Sequence, residues 1–116
     1  MDTVLLVLNV LAALGAAGSS VAGVVKPGLG LRPDEETTAG VHFYTRAYAA
    51  RALPLGVVTA LVLVWGPSVA VVPLLVVSGL AQVGDSVLGI MRRNLGMALG
   101  AGAFAVIHLL AAILWS

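Results

Sequence analysis

The 116-residue chain has no cysteine, which excludes disulfides, a thiol nucleophile and a cysteine-ligated metal. Charge is almost as scarce. Asp, Glu, Lys and Arg together make up 9% of the residues, where a soluble domain carries roughly 25%. A soluble fold with so few charges would have an apolar surface and precipitate. The formal net charge of +1 supplies no basic face for a nucleic acid, so none is expected as a partner. No HExxH, no DxxD and no paired histidines occur, so no metal site and no cofactor are expected. Aromatic residues are only 5% of the chain.

What the chain has instead is apolar sequence. Hydrophobic residues are 60% of the total and the mean hydropathy is +1.10. The bilayer is the solvent that suits this composition. The length allows a single membrane domain over 1–116, an all-α bundle of four transmembrane helices, and no separate soluble module. The apolar runs predict helices at 3–25, 41–65, 69–91 and 95–115, with a loop at 26–40. The first run has a competing reading as a secretory signal, because Ala16-Ala17-Gly18-Ser19-Ser20 resembles a cleavage region. Asp2 and the lack of Lys or Arg before the run favour the membrane helix.

The loop Lys26–Gly40 holds Pro27, Gly28, Gly30 and Pro33, which break helix locally. Asp34-Glu35-Glu36 fit the first turn of the next helix, where carboxylates meet the positive end of the dipole. Their adjacent positions point in different directions, unlike a metal cluster. Part of the loop is expected to lie on the membrane surface as a lid. Lys26, Arg32, Arg92 and Arg93 all fall on one side of the four crossings. The positive-inside rule then places both termini outside, in a bacterial plasma membrane.

Asp85 is the single acidic residue within these apolar runs. An intramembrane carboxylate costs about 2.5–3.5 kcal/mol on insertion scales, which makes it a functional candidate by default. On its helix, Ser78, Gln82, Asp85 and Arg92 share one face. On the second helix, Tyr44, Tyr48 and Arg51 form a stripe, with Arg46 well off it and shallow enough to anchor at headgroups. Pro54 frees the carbonyl of Ala50 beside Arg51. Asn9 shares a face with Asp2, Ala13, Ala16 and Ser20, and His108 with Asn94, Ala101 and Trp115. Gly96 and Gly100 stand at GxxxG spacing, a signal of close helix packing.

At 1.5 Å per residue, Asp85 lies about 10 Å and Arg51 and Gln82 about 15 Å below the charged-loop side, with His108 at about 20 Å. Arg51 and Asp85 are expected to pair, with Asn9 and His108 as a second polar level. Two accounts fit these residues. One is a structural clasp between helices. The other is a cleft for a hydrophobic small molecule, in which Asp85 is a general acid or base. Arg51 would orient it, Tyr44 and Tyr48 would donate, and His108 would relay a proton. Asn9, Tyr48, Gln82, Arg46 and Ser78 would contact the substrate. Cyclisation, isomerisation or epoxide opening would suit such a site. Proton-coupled transport or binding, and a purely structural membrane partner, are the competing classes. A homo-oligomer is compatible with all of them.

Pro27-x-Leu29-Gly30-Leu31, Tyr44-x-Arg46, Ala50-Arg51-x-Leu53-x-Leu55-Gly56 and Gly84-Asp85, followed by His108, form a pattern along nearly the whole chain. This pattern resembles the DUF4267-type small four-helix membrane proteins. The resemblance implies an accessory of small-molecule biosynthesis, by analogy.

Overall fold

A computed structural model describes residues 2–31 and 33–115. Arg32, one of the four cations used for the expected topology, lies outside the described residues. The described chain forms α1 (Thr3–Val25), a short 3-10 turn (Pro27–Gly30), α2 (Ala39–Trp65), α3 (Ser68–Met91) and α4 (Leu95–Leu114). All four α-helices are long and apolar enough to cross a membrane. The long axis of 47 Å matches a bilayer with its headgroups, about 40–45 Å thick. Leu11, Val58, Leu80 and Leu99 are among many apolar side chains turned outward, as a lipid-facing shell requires.

Three of the four α-helices start on a side-chain cap, and α3 follows Pro67 without one. The Asp2 carboxylate accepts from the Val4 N–H at 2.7 Å, Thr38 Oγ1 from Val41 at 3.2 Å, and Asn94 Oδ1 from Met97 at 3.1 Å. Thr38 overturns the expectation for the acidic trio. The helix begins at Ala39, after Asp34-Glu35-Glu36, and no acidic residue occupies its first turn. A threonine hydroxyl satisfies the N-terminal amides there, so the carboxylates are not needed as caps. Glu35 instead accepts from Arg92 Nη2 at 2.8 Å and ties the loop to the end of α3.

The turn between α2 and α3 is made by Gly66 and Pro67. A Cβ on Gly66 would fall 2.7 Å from the Val62 Cα, so the chain can fold back there only with glycine. At the other end, Arg93 adopts φ 53°, and the Arg93 and Asn94 amides donate back to Ile90 and Gly89. This left-handed residue stops α3 and aims α4 back along it.

The helices form an up-down-up-down bundle of two close pairs. α1 packs along α2, and α3 along α4, while the pairs meet each other more sparsely. Glycine and alanine make the close contacts. A Cβ on Gly56 would meet the Ala13 carbonyl oxygen at 2.5 Å, and one on Gly89 would meet the Ala98 nitrogen at 2.6 Å. Leu63, Val71, Leu75 and Ala111 form an apolar cluster near the Gly66 turn. Polar groups occupy the middle of the bundle, and the cavity beside Asp85 extends toward the charged-loop end.

The Gly96–Gly100 pair does not pack as the motif predicts. A Cβ on Gly100 would meet nothing within 4 Å, and one on Gly96 only the neighbouring Asn94 side chain. The GxxxG face of α4 lines a cavity that Ser19 and Gly23 of α1 also border.

Candidate functional site

The predicted pair forms. Arg51 on α2 donates from Nη2 to Asp85 Oδ1 on α3 at 2.9 Å. The two partners differ in burial: the Asp85 side chain is 5% exposed and that of Arg51 46%. The carboxylate sits inside the bundle, and the guanidinium reaches it from the seam between α2 and α3. The Arg51 guanidinium also lies 5.3 Å from the centre of the Tyr48 ring, which itself stacks on Tyr44 at 6.3 Å. The stripe Tyr44, Tyr48, Arg51 is therefore a continuous stack leading to Asp85.

Above this level, His108 Nδ1 meets Asn9 Oδ1 at 3.0 Å, and Asn9 Nδ2 donates to the Leu5 carbonyl at 2.7 Å. These bonds determine the histidine tautomer. The Leu5 carbonyl can only accept, so the Asn9 amide must turn its NH₂ to it and its oxygen to His108. Nδ1 therefore carries hydrogen in the neutral ring, and Nε2 is left as the basic nitrogen. Both residues are buried.

A further pair escaped the reading of the sequence. Thr59 Oγ1 and Ser78 Oγ share a hydrogen bond at 2.9 Å between α2 and α3. Thr59 is three residues after Gly56 and four before Leu63, both buried, and that spacing was the available signal. Ser78 is thus committed to a helix–helix bond. Ser86 is likewise occupied, donating to the Ala98 carbonyl at 2.7 Å.

Asp85, Gln82, Tyr44 and Tyr48 line one cavity of about 330 Å³, together with apolar residues of α1 and α4. That volume is at the lower end of small-molecule sites, about 300–1,000 Å³. A smaller space of about 20 Å³ is bordered by Arg51, Asp85, Gln82, Ser78 and His108. It has room for a single water molecule, which needs about 10–15 Å³, and joins the two polar levels. A third cavity, also about 330 Å³, shares Tyr44, Thr45 and Met97 with the first and extends to Arg92 and the loop. Arg46 is exposed on α2 and borders none of these spaces. Asn9 reaches them only through His108.

Among the described residues, no group of three or more His, Cys, Asp or Glu could hold a metal ion. The molecule is a four-helix membrane bundle with a polar cleft in its interior. No family model, curated protein or solved structure matches the chain.

Proposed function

We propose that the cleft handles a hydrophobic small molecule and that Asp85 performs acid–base chemistry on it. The observation that supports this reading is the position of Asp85. It is buried, it is held by Arg51 through one oxygen, and it borders a cavity large enough for a ligand. A carboxylate has about four lone-pair sites, so the bonds from Arg51 and from the Tyr48 hydroxyl leave capacity for a further partner.

In this reading Asp85 accepts a proton from the substrate and returns it at another atom. Cyclisation, isomerisation and epoxide opening by an internal hydroxyl all fit, since none changes the composition of the substrate or needs an oxidant. Arg51 orients the carboxylate, and Tyr44 and Tyr48 donate to developing negative charge. Gln82 fixes the substrate. The resemblance to DUF4267-type proteins and a role in small-molecule biosynthesis remain part of this proposal.

Comparison of metabolite profiles from cells producing the wild type and Asp85→Asn tests the reading. A product present with the wild type should vanish with the variant at equal protein level in the membrane. Identical profiles would overturn it. The water-sized space between His108 and Asp85 favours a second reading, proton-coupled transport. That reading calls for proton movement in vesicles lost in both Asp85→Asn and His108→Gln, with no altered compound.

A further inference from the structure

The cleft has a side door. α1 and α4 are joined near the middle of the bundle by the Asn9–His108 bond. One turn or two further on, a Cβ on Gly15 would lie only 3.1 Å from the Phe104 ring, so the seam is still shut there. Beyond that point it opens. Ser19 and Gly23 on α1 and Gly96 and Gly100 on α4 border the same cavity as Asp85. Ser19, Gly96 and Gly100 are exposed, so they form its rim. Ser19 is about 9 Å and Gly100 about 8 Å from the charged-loop ends of their helices, at 1.5 Å per residue. Those ends stand near the edge of a hydrocarbon layer about 30 Å thick, so the rim faces acyl chains rather than water. The open GxxxG face of α4 finds its explanation here. Glycine at these positions leaves the gap unfilled.

The polar groups at the inner end define what enters. Asp85 and Arg51 already compensate each other at 2.9 Å. A ligand cation would have to displace Arg51, and a ligand anion would face the carboxylate. Gln82 is 8% exposed, borders the cavity, and has no side-chain hydrogen bond among the described residues. No fully buried side-chain nitrogen or oxygen among the described residues lacks a partner, so the Gln82 amide opens into the cavity, where an entering polar group can meet it. It offers both donor and acceptor, as does the nearby Tyr44 hydroxyl. A neutral hydroxyl or carbonyl matches both.

The geometry points to a lateral portal between α1 and α4 through which an uncharged, oxygen-bearing lipophilic molecule passes from the bilayer to Gln82 and Asp85. The oxygen function sits at Gln82, and the hydrocarbon portion extends past Gly100 into the leaflet. This inference rests on the proposed function for the existence of a ligand, and adds its chemical class and its route.

Photolabelling in phosphatidylcholine vesicles tests it, with a long-chain alcohol carrying a diazirine near its hydroxyl, and the matching carboxylic acid and amine. The alcohol should label peptides containing Tyr44 or Gln82, and the acid and amine should not. Gly100→Trp should reduce that labelling by about tenfold or more, a loss of about 1.4 kcal/mol in binding. Ser19→Trp, from the opposite rim, should do the same, which guards against a single misfolded variant. Leu99→Trp, on the outer face of α4, should leave it unchanged. Equal labelling by all three compounds would overturn the ligand class. Undiminished labelling in both rim variants would overturn the portal. Labelling reads occupancy and not conversion, so Asp85→Asn that keeps its metabolite profile would refute the chemistry while leaving the portal standing.

Discussion

Arg51 and Asp85 meet at 2.9 Å, yet only the carboxylate is enclosed by the bundle. The two halves of this ion pair are therefore unequal in what they would leave behind. An abandoned carboxylate stays in the interior, whereas an abandoned guanidinium is left at the seam about 15 Å deep, against acyl chains.

Removing either partner should be costly, because each leaves a charge without its counter-ion away from water. Arg51→Gln should destabilise by about 1–3 kcal/mol, the range for losing a charged hydrogen bond to a buried group. Asp85→Asn should also destabilise, because the exposed part of Arg51 meets acyl chains rather than water and the asparagine offers only a neutral acceptor. The double variant should be less impaired than the sum. Unfolding of each variant in detergent micelles measures these terms. Equal single effects that simply add would show that the pair contributes no coupling.

The glycines give a sharper contrast. Gly56→Ala places a methyl against the Ala13 carbonyl oxygen at 2.5 Å and should destabilise by about 1–3 kcal/mol through overpacking of α1 on α2. Gly100→Ala meets open space and should stabilise α4 by up to about 1 kcal/mol, the difference in helix propensity. The same micelle unfolding assay separates them. A destabilised Gly100→Ala would mean that the α1–α4 seam closes in the bilayer.

The element pattern was legible because each helix is a long apolar run ended by a local signal: Gly66-Pro67, the Arg92-Arg93-Asn94 turn, or the Pro-Gly loop. The polar stripes were legible too, since Ser78, Gln82 and Asp85 recur at helical spacing and are all buried. Three features were not. The acidic trio could serve as a first turn by charge alone, and only the competing Thr38 cap shows that it does not. Gly96 and Gly100 have the spacing of a packing motif, but spacing records that a backbone can approach, not that a neighbour is present. Tyr44 stacked on Tyr48, with Arg51 over the ring, was implied by offset. The exposure of Arg51 was not, because periodicity within one helix says nothing of how closely the next helix covers it.

The loop cations predict an orientation in the membrane. Lys26, Arg92 and Arg93 lie at the loop end, and the Gly66 turn has no Lys or Arg. Both termini and Pro67 should face outward. In the cysteine-free chain, Pro67→Cys should react with an impermeant maleimide added to intact cells, and Thr37→Cys should react only after lysis. The opposite pattern would invert the topology and, with it, the leaflet that supplies the portal.

Asn9 and His108 provide the last measurement, because they alone bridge α1 and α4 by side-chain bonds among the described residues. Asn9→Ala removes the acceptor for Nδ1–H and leaves a buried donor without a partner. Polar bonds between membrane helices couple by about 0.6 kcal/mol on average and about 1.7 at most, so the Asn9–His108 cycle should fall in that range. The consequence for the cleft is larger than the energy. This bond holds the upper part of the seam shut, and the portal begins below it. Loosening it should let the gap extend toward the Gly66 turn. A cysteine at Ala12, which is buried at 2%, should then react faster with a membrane-permeant maleimide in Asn9→Ala than in the parent. His108→Gln keeps a donor for Asn9 Oδ1 and should retain most of the protection. If Asn9→Ala leaves the labelling rate at Ala12→Cys unchanged, packing around Phe104 and Gly15 closes the seam without help from the hydrogen bond.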